Sequence, residues 1–426
     1  MDKRRVVVTG LGTVNPTGND LKESWENIKN GVCGIAPITL FDTSNHTVSL
    51  AGEVKNFDLT KRLNKREARH MSRFTQFALY AAEEALIDSG LLEGYEGEGL
   101  AIDVKVKESD SEIAGVIISS GIGGLDTIEN EHSKGIEKGF DKVSPFFIPM
   151  SISNMAAARV AISHNLQGIC TCPVTACAGG SNAIGDAFHR IRDGYEEIMV
   201  CGGTEASITP LGIGGFTSMK ALCTETDPNR ASIPFDAERS GFVMGEGSGI
   251  LVLESLDHAL ERGAKIYAEI VGYGSNCDAY HITAPSPNGE GGAKCMKLAI
   301  KDAGIEPSDI DYINAHGTST HLNDAGETSA IKSVFGDHAK ELAVSSTKSM
   351  TGHMLGGAGG VEAVFSVMAL KDGFIPATIN YKTPDPECDL DIVPNEGRNS
   401  DLNYVLSNSL GFGGHNACLI FKKYSE

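Results

Sequence analysis

The chain has 426 residues and a mass of 45.0 kDa, with 41% hydrophobic and 22% charged residues, as expected of a globular protein with a large core. Its formal net charge of −20 argues against nucleic-acid binding, which needs a positively charged surface. No apolar run approaches the roughly 18 residues of a membrane span, and the N-terminus lacks the apolar core of a secretory signal, so we expect a cytoplasmic protein without membrane insertion.

Short β-prone runs alternate with helix-period stretches throughout the chain, which is typical of an α/β protein. The pattern predicts strands at Val6–Gly10, Gly115–Ser119, Glu197–Cys201, Gly249–Leu253, Ala268–Gly272, Asp311–Ala315, Leu342–Ser345, Tyr404–Asn408 and Ala417–Phe421. It predicts helices at Lys22–Asn30, Thr75–Ser89, Asn182–Asp193, Gly292–Ala303, Ala325–Phe335 and Gly360–Lys371.

The order of these elements repeats weakly along the chain. Each half opens with a strand that ends in Gly-X-Gly, and later runs from a strand through a polar turn into a helix rich in small residues. The turn holds Cys177 in the first half, and Lys348 and His353 in the second. We place the boundary near residue 260, beside the charged, helix-like connector Leu256–Gly263, which gives halves of 1–260 and 261–426.

Two segments differ in charge from their surroundings. A basic segment spans residues 61–73 and is interpreted either as a solvated helix face or as a docking patch for an acidic partner. An acidic segment spans residues 93–112, and we expect it to be an exposed surface loop.

Cys177 lies where apolar residues give way first to small residues and then to a helix-period stripe, a pattern that predicts a strand, a sharp turn and a helix. A thiol at a helix N-terminus is favoured as the nucleophilic thiolate by unpaired N–H groups and the helix dipole. Ala178, Gly179 and Gly180 leave room for an acyl group. The alternative is a small, buried, apolar cysteine.

Two later motifs place a histidine among glycine and hydroxyl residues after a predicted strand. They are Asn-Ala-His-Gly-Thr-Ser-Thr around His316, and Ser-Ser-Thr-Lys-Ser-Met-Thr-Gly-His ending at His353. A cysteine with two histidines suits thioester chemistry, because the thiolate accepts an acyl group and an imidazole N–H stabilises an oxyanion or enolate. Lys348 adds a positive charge that biases the protonation of its neighbours.

The hydroxyls of Thr318 and Thr320 can hydrogen-bond an amide-bearing arm of a substrate. We expect no metal and no cofactor. Cys170, Cys172 and Cys177 lack a C-x-x-C pair, and the ten cysteines are too sparse and irregular for a disulfide scaffold. The Gly-Leu-Gly at residues 10–12 does not extend to the G-x-G-x-x-G of a dinucleotide-binding turn.

Four motifs in order resemble those of the β-ketoacyl-acyl carrier protein synthases, most nearly the bacterial type II elongating members. They are T-A-C-A-G-G-S-N-A-I-G at Cys177, N-A-H-G-T-S-T at His316, S-S-T-K-S-M-T-G-H at His353 and S-N-S-L-G-F-G-G-H-N at 407–416. The similarity runs over essentially the whole chain. It implies the thiolase fold, a five-layered αβαβα body with two pseudo-duplicated halves, and a homodimer.

The resemblance also implies roles for individual residues. Cys177 would be the acylated nucleophile, and His316 and His353 would promote malonyl decarboxylation and stabilise the enolate, with electrostatic support from Lys348 and Glu362. The other implied positions are the oxyanion hole (the N–H groups of Cys177 and Phe412), the gate (Phe412), the acyl tunnel (Ile122), further substrate contacts (Thr318, Thr320 and Phe216) and carrier-protein docking (Arg66, Arg69 and Lys220).

The implied reaction is a ping-pong decarboxylative Claisen condensation in type II fatty acid synthesis. Acyl carrier protein delivers both an acyl group, which loads Cys177, and a malonyl group; the product is a 3-oxoacyl carrier protein, with CO₂.

A polyketide ketosynthase shares these motifs and stays open as an alternative function. The second histidine argues against a thiolase or an initiating synthase, and Cys177 itself argues against a non-catalytic chain-length-factor-like subunit. A cysteine hydrolase would instead discharge its acyl group to water. Two departures from the family pattern, the acidic 93–112 segment and His415, receive no role.

Overall fold

The computed structural model describes residues 3–95 and 104–425. Its strands are β1 Val6–Val14, β2 Ala36–Pro37, β3 Leu50–Ala51, β4 Ala114–Ser119, β5 Cys170–Thr171, β6 Ile198–Glu205, β7 Gly247–Ser255, β8 Ala268–Cys277, β9 Tyr312–Asn314, β10 Ala343–Ser345, β11 Phe374–Ile375, β12 Arg398–Asn399, β13 Tyr404–Gly411 and β14 His415–Lys423. Its helices are α1 Leu21–Lys29, α2 Lys65–Ala68, α3 Arg73–Ser89, α4 Glu108–Ser111, α5 Leu125–Lys138, α6 Phe147–Ser151, α7 Met155–His164, α8 Gly179–Arg192, α9 Pro210–Ser218, α10 Pro228–Ala231, α11 Leu256–Glu261, α12 Glu290–Ala303, α13 His321–Phe335, α14 Lys348–Thr351 and α15 Ala358–Asp372.

Each strand and helix predicted from the sequence is confirmed, with ends that shift by a few residues. The short helices α2, α4, α10 and α14 were not predicted, and neither were α5 to α7 and α9. Helices α5 to α7 and α9 follow glycine-rich or proline-containing stretches whose periodicity is interrupted, and their positions depend on packing against the rest of the fold.

The principal sheet consists of two five-stranded halves with the same pairing pattern. The strand order is β5-β4-β6-β7-β1 in one half and β10-β9-β13-β14-β8 in the other, and the halves join where Val6–Val8 of β1 pair with Ala268–Ile270 of β8. In both halves the fourth strand is antiparallel to its two neighbours, whereas the first three strands run parallel. This matching topology is the structural form of the predicted duplication.

Three hydrophobic cores separate five layers. Strand residues alternate between two cores, as Ile250 and Leu251 of β7 do, because successive side chains point to opposite faces of a sheet. The central core holds α8 and α15 between the two sheet halves, and two outer cores hold α3 with α7 and α12 with α13. The predicted αβαβα layering is therefore confirmed.

The glycines of the first strand are explained by packing. A Cβ at Gly10 would lie 2.1 Å from the carbonyl oxygen of Ala85, and one at Gly12 would lie 2.0 Å from that of Ala81. Both glycines therefore allow β1 to lie against the backbone of α3.

Two sequence interpretations need correction. The acidic segment 93–112 is not simply an exposed loop: Val106 is buried and α4 begins at Glu108, while residues 96–103 lie outside the described part of the chain. The strand before Cys177 is only the two residues of β5, because Pro173 cannot donate a ladder hydrogen bond. The helix-like connector is confirmed as α11.

Among the residues that the structure describes, no helix is both long enough and apolar enough to traverse a lipid bilayer.

Candidate active site

A cavity of about 410 Å³ opens where the polar turns of the two halves meet. The predicted site residues in its wall are Cys177, Phe216, Lys220, His316, Thr318, Thr320, His353 and Phe412. The structure therefore brings the thiol and both histidines to one space, as the sequence predicted.

Cys177 lies in a 3₁₀ turn, Ala176–Ala178, that leads directly into α8. The preceding residue, Ala176, has φ of +50°, a left-handed conformation that non-glycine residues rarely adopt, so the turn is sharp. Cys177 is 8% exposed, and the backbone N–H groups of Phe412 and of Cys177 itself favour the charged form of its sulfur.

The expectation that the helix terminus lowers the pKa of Cys177 is wrong for the free protein. Burial raises the pKa of this thiol to about 12, even though Lys348 and the two N–H groups favour the thiolate. The reason is that removing a thiolate from water is unfavourable by more free energy than its interactions with these partners contribute. The resting nucleophile is therefore a neutral thiol, and its proton must leave during acyl transfer.

His316 follows β9 and has its backbone fixed by a buried carboxylate. Glu327 accepts hydrogen bonds from the N–H groups of His316 and Gly317, both at 2.8 Å, and from the side chain of Asn408 at 3.2 Å. The loop is thus held at two successive residues, which fixes the direction of the imidazole.

His353 faces His316 across the cavity wall. Their ring centroids are 5.2 Å apart with the ring planes at 89°, and Phe242 packs edge-on against His353 at 5.3 Å. One detail differs from the predicted strand-to-loop geometry: the short helix α14 lies between β10 and His353. The backbone of His353 then pairs with the segment at Met244.

Lys348 and Glu362 form a buried ion pair behind the histidines, with side chains only 1% and 2% exposed. The Lys348 ammonium also donates to Nδ1 of His316 at 3.5 Å. Because Nδ1 accepts this bond, the neutral imidazole carries its proton on Nε2. Burial raises the pKa of Glu362 to about 7, an effect that Lys348 opposes.

Both histidines are neutral near physiological pH. Burial holds the pKa of His316 well below 6.5, and Lys348 and His353 lower it further. Burial and then Lys348 lower the pKa of His353 in the same direction. A neutral imidazole can donate an N–H hydrogen bond or accept a proton, so the site holds two such groups beside an uncharged thiol.

Phe412 lies at the tip of the β13–β14 hairpin, where φ is +86° at Gly413 and +77° at Gly414. These left-handed angles favour glycine. The Phe412 ring lies 6.3 Å from that of Phe216 at the cavity wall. His415, the departure from the family pattern, begins β14 beside Gly413.

Ile122 belongs to the apolar cluster that contains Cys177, Phe216 and Leu355, although it does not line the cavity itself. On the polar side, the hydroxyls of Thr318 and Thr320 are 2.9 Å apart and both face the cavity. The cavity wall therefore offers apolar and hydrogen-bonding contacts in different regions.

The basic segment has mixed roles. Arg62 pairs with Glu84, and Arg73 pairs with Glu246, so these two arginines are structural. In contrast, Arg66 and Arg69 are exposed, as is Lys220 at the cavity, and none of them is in an ion pair within the described ranges.

Several polar residues of the site were missed by sequence reasoning. Glu327, Asn408 and the cavity-lining Arg239 act from elements distant in sequence, so no local spacing marks them. In the described part of the chain, one group of possible metal ligands comes together: His321, Asp385 and Glu387. Arg239 already donates to the Asp385 carboxylate, and we assign no metal there.

The fold and the site define a thiolase-fold protein with a Cys-His-His centre. The family profiles that match are the β-ketoacyl synthase N-terminal domain over residues 3–259 and the C-terminal domain over residues 267–382. The chain therefore belongs to the β-ketoacyl synthase family.

Similar proteins include the 3-oxoacyl-[acyl-carrier-protein] synthase 2 of Staphylococcus aureus strain COL, 53% identical over 421 residues and covering 99% of both chains. The synthase of the same name from Synechocystis is 52% identical and covers 100% of this chain and 99% of its own.

A solved type II polyketide synthase acyl-carrier protein in complex with its ketosynthase is also similar, at 36% identity, TM-score 0.88 and full coverage of both chains. A β-ketoacyl synthase from Burkholderia phymatum gives 33% identity and TM-score 0.88 over 99% of this chain and 100% of its own.

Proposed function

We propose that this protein is an elongating β-ketoacyl-acyl carrier protein synthase of type II fatty acid synthesis. The observation that carries the proposal is the convergence of Cys177, His316 and His353 on one cavity. It is supported by relatives, about 53% identical over nearly their whole length, that are named for this activity.

In the first half-reaction, the Cys177 sulfur attacks the carbonyl carbon of an acyl-carrier thioester. The proton of the Cys177 thiol passes through a neutral imidazole of the site to the departing carrier sulfur, so the carrier leaves as a thiol and the imidazole is neutral again. The N–H groups of Cys177 and Phe412 stabilise the negative oxygen of the tetrahedral intermediate. The acyl chain then lies against the apolar cluster of Ile122, Phe216 and Leu355.

In the second half-reaction, the malonyl carboxylate leaves as CO₂ and its bonding electrons form an enolate. N–H groups of His316 and His353 stabilise the enolate oxygen, and Lys348 fixes the tautomer of His316 that presents Nε2–H. The enolate carbon attacks the acyl carbonyl, the C–S bond to Cys177 breaks, and the thiolate takes up a proton from solvent. Hydroxyls of Thr318 and Thr320 hold the amide-bearing arm of the carrier.

Mass spectrometry of the protein after incubation with acyl carrier protein substrates tests this proposal. We expect an acyl adduct on Cys177 that malonyl-carrier protein discharges with release of CO₂. Discharge by water alone would identify a hydrolase and contradict the proposal.

The second candidate, a polyketide ketosynthase, is favoured by the similarity to the solved type II polyketide complex. The product distinguishes the two. A fatty acid synthase component adds two carbons per cycle and stops at the 3-oxoacyl stage, whereas a polyketide enzyme extends the unreduced product again. We expect a single extension.

Acyl carrier protein is acidic in this scheme, and we propose that Arg66, Arg69 and Lys220 dock it. Their exposure and lack of carboxylate partners in the described structure support this role. Replacing each in turn with Glu is expected to raise KM for carrier-bound substrate severalfold with little change in kcat. An unchanged KM would remove that residue from the docking surface.

We also propose a homodimer. Exposed large apolar side chains concentrate between residues 128 and 174, at Ile128, Ile136, Phe140, Phe146, Ile148, Ile152, Ile162 and Val174. The outer edge of β5, the last strand of its sheet half, lies in the same part of the chain. Apolar patches and open strand edges favour association. Analytical ultracentrifugation is expected to give twice the 45.0 kDa chain mass.

The division into halves at residue 260 and the cytoplasmic location stay predictions. Limited proteolysis near residue 260 and cell fractionation test them.

A further inference from the structure

A carboxylate outside the catalytic set lies beneath the apolar side of the site. Glu205 is the last residue of β6 and is fully buried. Among the ion pairs of residues 3–95 and 104–425, none includes Glu205, so no lysine, arginine or histidine neutralises it. A buried, unpaired carboxylate is costly unless hydrogen bonds satisfy it.

Glu205 is instead held by hydrogen bonds from two separate backbone segments. Its Oε2 accepts from the N–H of Gly121 at 2.8 Å and from the N–H of Gly356 at 3.1 Å. Its Oε1 accepts from the N–H of Ile122 at 3.3 Å and from the hydroxyls of Ser120 and Ser207, both at 3.2 Å. One side chain therefore joins residues 120–122 to the turn Leu355–Gly357.

These two segments carry side chains of the cluster in which the acyl chain is proposed to lie. Ile122 and Leu355 both pack in the apolar cluster around Cys177. The approach is close: a Cβ at Gly356 would lie 2.4 Å from the N–H nitrogen of Gly121 and 3.0 Å from Oε2 of Glu205. Glycine at both positions thus leaves room for the carboxylate and for the two backbones to meet.

We propose that Glu205 is a positioning residue for acyl-chain selection, which fixes the Ile122 segment against the Leu355 turn and so sets the shape of the apolar space beside Cys177. This inference rests on the proposed function, because it requires an acyl chain on Cys177. Glu205 does not touch the reacting atoms; it acts through the two backbone segments that it joins.

The chemistry of the side chain predicts which substitutions matter. The three backbone N–H partners of Glu205 can only donate and approach both of its oxygens, so two accepting oxygens are needed. Glu205→Gln turns an NH₂ group toward N–H donors and releases one segment. Glu205→Asp keeps both accepting oxygens on a shorter side chain. Glu269→Gln is the matched control, because Glu269 is also a buried carboxylate but bonds Arg5 at the sheet.

The test measures kcat/KM for acyl-carrier primers of graded length, together with malonyl-carrier decarboxylation. For Glu205→Gln we expect the ratio of long-primer to short-primer kcat/KM to change by at least about fivefold, with decarboxylation within about twofold of wild type. Glu205→Asp is expected to lie between Gln and wild type, and Glu269→Gln to keep the wild-type ratio. A purely structural defect would lower all primers and decarboxylation together.

A second measurement tests the effect of the Glu205 charge on the Cys177 thiol and does not depend on the shape of the apolar space. Burial and, to a smaller extent, the Glu205 carboxylate raise the pKa of the Cys177 thiol. Removing its charge in Glu205→Gln is therefore expected to move the pH profile of Cys177 alkylation by iodoacetamide toward lower pH. If Glu205→Gln does not fold, Ser120→Ala removes one donor to the carboxylate, and we expect about a twofold change in the length ratio.

If Glu205→Gln folds and its ratio of long-primer to short-primer kcat/KM equals that of the wild type, the proposal for Glu205 is wrong. The proposed function still stands in that case, provided that the wild-type protein condenses the primers. Failure of the wild-type protein to condense any primer overturns both.

Discussion

The two halves of the fold present the same backbone route to the site but carry different chemistry. In the first half, β5 leads through the cysteine turn (residues 172–178) into the buried helix α8. In the second, β10 leads through the histidine turn (residues 346–357) into the buried helix α15. Both helices lie in the central core between the sheet halves.

The difference lies in the polar groups. The cysteine turn has no ionisable side chain other than its cysteines, and it offers a neutral thiol. The histidine turn holds Lys348 and His353, and α15 adds Glu362. The two halves thus share one backbone topology, but one turn carries the thiol and the other carries charged and imidazole groups.

The cysteine turn is tested most directly by Cys177→Ala. We expect condensation to fall by at least about 10³-fold, because no acyl-enzyme forms. Decarboxylation of malonyl-carrier protein should continue, since its proposed groups lie in the second half. Cys295→Ala, at a buried cysteine of an outer core, is the control and should keep activity. Normal condensation by the Cys177 variant would exclude this mechanism.

Substitutions of the two histidines test the role proposed for the second half of the fold. His316→Ala or His353→Ala is expected to lower malonyl decarboxylation by about 10²–10³-fold, as loss of an oxyanion donor does elsewhere. Acylation of Cys177 should persist in at least one of the two variants, and mass spectrometry of the intact protein detects it. A variant that retains full decarboxylation would assign that histidine a structural role.

The buried ion pair gives an effect on stability as well as on rate. Lys348→Met leaves Glu362 buried without its partner, and we expect the free energy of unfolding to fall by about 3 kcal/mol. The double variant Lys348→Met with Glu362→Gln should recover much of this loss in urea denaturation without recovering decarboxylation. Recovery of both would mean that the pair serves stability alone.

The protonation state of the Cys177 thiol is tested by the pH dependence of its alkylation, which is the smallest of the expected effects. With the pKa of Cys177 raised to about 12, the thiolate fraction rises about tenfold per pH unit well below that value. Alkylation of Cys177 in the free protein, resolved by peptide mass spectrometry, should therefore increase steadily from pH 7 to pH 9. A plateau in this range would show that the helix terminus and Lys348 outweigh burial.

The sequence predicted most of the regular elements because alternating and helix-period patterns record which faces are buried. It also predicted that Cys177, His316 and His353 share one site, since small and hydroxyl residues beside a reactive group are poorly explained by core packing, and the structure brings the three to one cavity. It did not identify Glu205 or Glu327. Most of their partners are backbone N–H groups, and such groups carry no sequence signature.

The pKa of Cys177 also depends partly on features visible in the sequence and partly on features that only the structure shows. The small residues and the helix start that favour a thiolate are visible in the sequence, but the extent of burial is not. Burial depends on how both sheet halves and Leu355 close around the turn. The sequence by itself determined the layered α/β fold, its duplication and the reactive residue types. Tertiary structure decided their protonation states and which buried carboxylates hold the site, because desolvation and hydrogen bonding are set by three-dimensional packing.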